Sequence, residues 1–201
     1  MPENPNPQGK ANLVLLNDLQ ALRHAKVPAK TLRHVMVDYL TGLLVLSAEF
    51  NFRPVPGQIY HLYFRHGRWQ LSLISPDEWR DSRRDTCVAQ CELRHDATWA
   101  VLPVTGLEER DDVVNGLETL WRDFQARVIS TPTVADGLPH HETTLPYYRR
   151  VLASGLARSL QRSLERLGLQ HTGGSGLLHA LRSHSNTPPR RLGPLPSGDL
   201  P

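Results

Sequence analysis

The sequence predicts an α+β fold: an antiparallel meander of about four strands, arranged as two hairpins, packed against amphipathic helices. Three observations predict it. Apolar residues recur at threes and fours between Leu32 and Leu44, alternating segments rich in β-branched and aromatic residues fill residues 58–102, and two further helical stripes follow between 108 and 167. A helical period before and after an alternating centre is the pattern of helices covering a sheet.

Taken in order, Leu13, Leu16, Leu19 and Leu22 recur at three-residue steps and predict a short helix. Pro28 suits a first helical position, and Leu32, Val35, Met36, Tyr39, Leu40, Leu43 and Leu44 form a broad stripe. That helix is expected to end near Glu49 or Phe50, before Arg53-Pro54 restricts the backbone. Phe50-Asn51-Phe52 alternates, and Pro54 to Gly57 reads as a turn. Gln58 to Arg65 and Trp69 to Leu73, joined through His66-Gly67, predict the first hairpin.

Ser75-Pro76-Asp77-Glu78-Trp79 changes character. Serine caps, proline fits the first helical position, and Glu78 stands three residues after Ser75, the spacing of a capping box. One helical turn there aims Trp79 back at the sheet, and Arg80 to Arg84 then reads as an exposed charged loop. Cys87 to Arg94, a turn at His95-Asp96-Ala97 and Thr98 to Leu102 predict the second hairpin. Short connections and the usual pairing of sequence neighbours make a meander the simplest assembly.

The stretch from Glu108 to Ile129 carries Val113, Val114, Leu117, Leu120, Trp121, Phe124 and Val128 on one stripe, with Asp111 and Asp112 early and Arg127 late, as the helix dipole favours. Residues 130–146 read as a long surface loop. The last helix carries Val151, Leu152, Leu156, Leu160, Leu164 and Leu167 and stops at Gly168. Thr172 to Gly176 is flexible by composition, Leu177 to Leu181 adds at most one amphipathic turn, and the Pro/Gly/Ser-rich end predicts disorder. The expected organisation is a disordered tail over 1–12, one α+β domain over 13–168 and a flexible basic tail over 169–201.

The 201 residues suffice for one substantial core. Residues 1–12 show neither a signal-peptide core nor a transit-helix pattern, and no run of about 18 apolar residues follows, so a cytoplasmic, non-membrane protein is expected. Cys87 and Cys91, on one strand face with Ala89 and Leu93, stand about 13 Å apart at a strand's rise, too far for a disulfide. Charge is uneven. Residues 1–145 hold 15 Lys and Arg against 18 Asp and Glu, whereas residues 146–201 hold 8 Arg against Glu165 and Asp199.

Ten histidines raise the question of a metal, but none falls in an H-E-x-x-H arrangement and no CxxC pair occurs. His140 and His141 are adjacent, so their side chains diverge. The glycines at 173, 174 and 176 lack the Lys-Ser/Thr of a Walker A loop and follow a helix, out of context for a dinucleotide fingerprint or a nucleophile elbow. No catalytic, cofactor-binding or metal-binding residue is therefore assigned, and the residues leave open whether the chain is an enzyme.

Two surfaces remain as candidate interaction sites. Tyr60, Tyr63, Trp69, Trp79 and Trp99 concentrate aromatics in the centre, either as core or as a partner surface. Arg158, Arg162 and Arg166 are successive i, i+4 neighbours whose mutual repulsion calls for solvation, acidic partners within the molecule, a protein interface or a nucleic acid. Nucleic-acid binders carry denser positive charge, which disfavours the last.

The run PVPGQIYHLYFRHGRWQLSLISPDEW, Pro54 to Trp79, with CELRHDATW, Cys91 to Trp99, resembles the uncharacterised domain-of-unknown-function family 2452. NPQGK at 6–10 and LPYYRR at 145–150 look similar to a proteobacterial branch of it, while Arg80 stands where the family commonly has Gly. The resemblance implies a two-hairpin unit with a Ser-Pro-x-Glu-Trp turn between the hairpins, and no activity or cofactor. The leading expectation is a non-catalytic accessory or protein-interaction module, by partner binding or self-association. A small-molecule binder or enzyme with a pocket between the aromatic sheet and the helices is the first alternative, and a weak nucleic-acid binder through the Arg stripe the second.

Overall fold

The computed structural model describes residues 29–140 and 144–184, with side chains to residue 179. The expected first helix, the N-terminal tail, Pro28, His141 and the last residues lie outside the described residues.

Thr31 opens helix α1 (Leu32–Ser47), its hydroxyl accepting the His34 N–H. The helix ends two residues before the expected Glu49. Its stripe is so broad that Val35, Met36, Tyr39, Gly42, Leu44, Val45 and Leu46 are all buried, because α1 is packed between the sheet and another helix.

The sheet consists of β1 (Ile59–Arg65), β2 (Arg68–Ser72), β3 (Cys87–Leu93) and β4 (Trp99–Pro103), all antiparallel. His66 and Gly67 both have positive φ, the requirement of a two-residue primed turn, and set Arg65 opposite Arg68. The β3–β4 turn closes with Ala97 at φ 64° and Arg94 N–H bonded to the Thr98 carbonyl.

The strand order is β2-β1-β3-β4, which corrects the meander: the second hairpin joins through β1, not β2. The reason lies at the β2 edge and in the connection. Glu49 N–H donates to the Trp69 carbonyl and the Glu49 carbonyl accepts from Leu71 N–H, so the chain leaving α1 occupies that edge. The 73–86 connection then carries the chain past β1 to its other side. Phe50-Asn51-Phe52 accordingly forms no strand.

Helix α2 (Asp111–Ser130) crosses the end of the first hairpin where Gly116 permits it; a Cβ there would stand 2.8 Å from Phe64 and 3.3 Å from Trp69. Helix α3 (Tyr147–Arg166) packs on α1, with Leu156 pressed against Gly42, and stops at Gly168 with φ 68°. Helix α4 (Gly174–His184) replaces the flexible stretch expected at 172–176. Gly174 fits against the Val128 carbonyl where no side chain would, and Leu177 and Leu178 enter the core, so tertiary burial overrides the poor local propensity of glycine.

Candidate functional site

The inner sheet face carries Tyr60, Leu62, Phe64, Trp69, Leu71, Cys91, Leu93 and Trp99, which join the helices in one core. Tyr60 and Trp99 are fully enclosed, with ring centroids 6.0 Å apart, and Trp69 packs on Phe64 at 4.4 Å. These three members of the expected aromatic surface therefore present no surface; period-2 alternation places them all under the helices.

The other two meet on the outer face. Tyr63 is buried beneath the 73–86 connection, its hydroxyl donating to the Ile74 carbonyl at 2.8 Å and accepting from Trp79 Nε1 at 3.1 Å. The rings stand perpendicular, and the Arg83 guanidinium lies 4.0 Å above Trp79. The turn that aims Trp79 holds Ser75 N–H on Glu78 Oε2 at 2.6 Å, as the capping-box spacing predicts. Burial pushes the Tyr63 hydroxyl up to about 12. Beside it, His61 is buried and its Nδ1 has no partner among the described residues. Burial lowers the His61 pKa, and the nearby Glu78 and Asp77 carboxylates offset only part of that.

The cysteines do not share a face. A bulge between Leu62 and Tyr63 adds one residue to β3, so Cys91 stands opposite Tyr60 in the core while Cys87 stands opposite Tyr63. Burial raises both thiols, Cys91 to about 12, which leaves neither with the thiolate character of a nucleophile near neutral pH.

His95-Asp96-Ala97-Thr98 has a structural account. Asp96 accepts Thr98 N–H and hydroxyl through Oδ1 and Lys30 Nζ through Oδ2, at 2.7 Å. Lys30 also pairs with Asp38 at 2.6 Å, and Arg94 reaches Asp38 at 3.0 Å. This buried network ties the approach to α1 to the β3–β4 turn. Desolvation of Asp96 is outweighed by the Lys30 and Thr98 hydrogen bonds, and its pKa falls below the ordinary carboxylate value.

The arginines of α3 divide by depth. Arg158 is half-buried, with Nη1 enclosed and unpartnered among the described residues, Arg162 is half-buried and Arg166 exposed. Arg149 Nη1 donates to the Leu46 and Ala48 carbonyls, a cation at the C-terminal end of α1. Among the described residues no group of three or more His, Cys, Asp or Glu is placed to hold a metal ion.

Sequence reasoning missed an exposed apolar patch on α2. Leu117 and Trp121 lie on the apolar stripe of this helix, yet they are 37% and 41% exposed. Trp121 stacks on buried Phe124, which with Leu43, Leu46, Leu120 and Leu145 lines a groove of about 210 Å³ that Ser47, Asp123 and Arg127 also line. The width of the stripe was the available signal: seven apolar residues on one helix exceed what one neighbour covers.

A two-hairpin antiparallel sheet backed by α1, with an aromatic clasp on its outer face, defines an α+β domain built around the Ser-Pro-x-Glu-Trp turn. The chain belongs to the family described as "Protein of unknown function (DUF2452)", whose model matches residues 22–123, from before α1 into the middle of α2. An uncharacterized Caenorhabditis elegans protein is 30% identical over 73 residues, 35% of this chain; the chain spans 38% of that relative's length. No solved structure matches.

Proposed function

We propose that the chain is a non-catalytic protein-interaction module whose binding surface is the α1–α2 groove and the adjoining Leu117 and Trp121. The carrying observation is that a groove is lined by four leucines and a phenylalanine on which Trp121, 41% exposed, stacks. Large half-exposed aromatics beside an apolar groove are what partner helices anchor on. The charges of Asp123 and Arg127 fit an amphipathic helix with a polar back. Against a small-molecule site, the space between the sheet and the helices is filled by Tyr60, Trp69 and Trp99.

A photo-crosslinking residue at position 117, introduced in the native cell, tests this. The expected result is a discrete adduct that disappears when Leu120→Asp spoils the groove and persists when Arg166→Ala alters exposed α3. Adduct formation indifferent to Leu120→Asp, or none at all, overturns the reading.

A further inference from the structure

The β4 edge carries a second inference, independent of the α1–α2 groove. Arg94 N–H bonds the Thr98 carbonyl and Val104 N–H bonds the Val88 carbonyl, at the two ends of the β3–β4 ladder. Antiparallel alternation between those ends turns residues 98, 100, 102 and 104 toward β3 and residues 99, 101 and 103 away from it. The Val101 N–H and carbonyl therefore face outward and find no partner among the described residues. Beside them lies a groove of about 480 Å³ that reaches from Val37 and Thr41 of α1 past Trp99, Val101 and Leu102 to Gln90 and Glu92 of β3. Val37 is 49% exposed and Leu102 68% exposed.

We propose that this edge pairs with the same edge of a second copy of the chain, antiparallel and with Val101 opposite Val101. The register is self-complementary, as a two-fold interface demands. Each Val101 N–H meets the other copy's Val101 carbonyl. In the same register Trp99 faces Pro103, and proline has no N–H to give. The carbonyl that such a donor would have served, that of Trp99, instead accepts the Thr41 hydroxyl at 3.4 Å. The one bond each copy lacks in this register is thus one the chain satisfies from within. Leu102 falls opposite Ala100, a large side chain over a small one, and Val37 lies along the same groove. The two four-stranded sheets become one of eight. Proline on an edge commonly blocks pairing, but at 103 it leaves the centre of β4 open, whereas a blocking proline belongs at 101.

Sedimentation velocity of the full chain over a concentration series tests the proposal. Wild type is expected to shift from the mass of one chain to that of two. Val101→Pro removes an N–H the intramolecular ladder does not use, and is expected to weaken dimerisation about tenfold or more. If that variant fails to fold, Val101→Cys decides: the register predicts a disulfide-linked dimer under oxidation, with none from Leu73→Cys. A wild type that stays monomeric throughout, a dimer unaffected by Val101→Pro, or equal cross-linking from positions 101 and 73 overturns the proposal. So does pairing of this edge only with a different polypeptide.

Discussion

On the inner face of the sheet, Tyr60, Trp69 and Trp99 are held by apolar neighbours, whereas on the outer face Tyr63 and Trp79 are held by hydrogen bonds under one crossing segment. Both sets come from the same forty residues and the same alternation. They differ in what covers them: helices on one side, fourteen residues of irregular chain with a single capped turn on the other. Aromatic density therefore says little about which rings a partner can reach.

The largest expected effect tests this contrast directly. Trp99→Ala should cost about 3–5 kcal/mol, the range for truncating a large core aromatic. Trp79→Ala, which removes a half-exposed ring and one hydrogen bond, should cost about 1–2 kcal/mol. Urea unfolding midpoints of the two variants measure the difference, and equal losses would mean that the outer clasp is as integral as the core.

Next comes the buried network at the β3–β4 turn. Lys30→Met leaves Asp96 without its cation and Asp38 with only Arg94, and should cost about 3 kcal/mol by the same assay. The folded Asp96 pKa is depressed, so its contribution is present above the ordinary carboxylate value and is lost as pH falls through the lower folded value. Asp96→Asn should flatten that acid limb in a series of thermal melts from neutral pH downward.

His61 gives a smaller effect at higher pH. Its folded pKa is lowered by burial, so between that value and 6.5 the unfolded chain binds the extra proton and stability declines as pH falls. His61→Gln should remove this slope while leaving the acid limb of Asp96 in place. A slope unchanged in the variant would show that the outer face is wetter than its packing indicates. The smallest effect belongs to Arg83→Ala, which removes a cation from an accessible ring and should cost about 0.5–1 kcal/mol. Trp79 fluorescence should respond to that substitution even where the unfolding midpoint scarcely moves.

The sequence by itself determined the elements. The period of Leu32 to Leu44, the alternation of Trp69 to Leu73, the Ser75-to-Glu78 spacing and the stop at Gly168 each report a local geometry, and local geometry repeats within a few residues. Tertiary structure decided the rest. The strand order depended on Glu49 occupying the β2 edge, and the division of Cys87 from Cys91 on a one-residue bulge opposite Leu62 and Tyr63. The glycines at 173, 174 and 176, flexible by composition, became the entry to a helix because Leu177 and Leu178 found the core. Trp121 and Leu117 obeyed the helical stripe and still remained half in water. A periodic pattern fixes which side of an element is apolar, but how much of that side is covered depends on neighbours brought together over long separations in the chain. The candidate surfaces of this molecule are the parts of those apolar sides, and of the sheet edge, that no neighbour among the described residues covers.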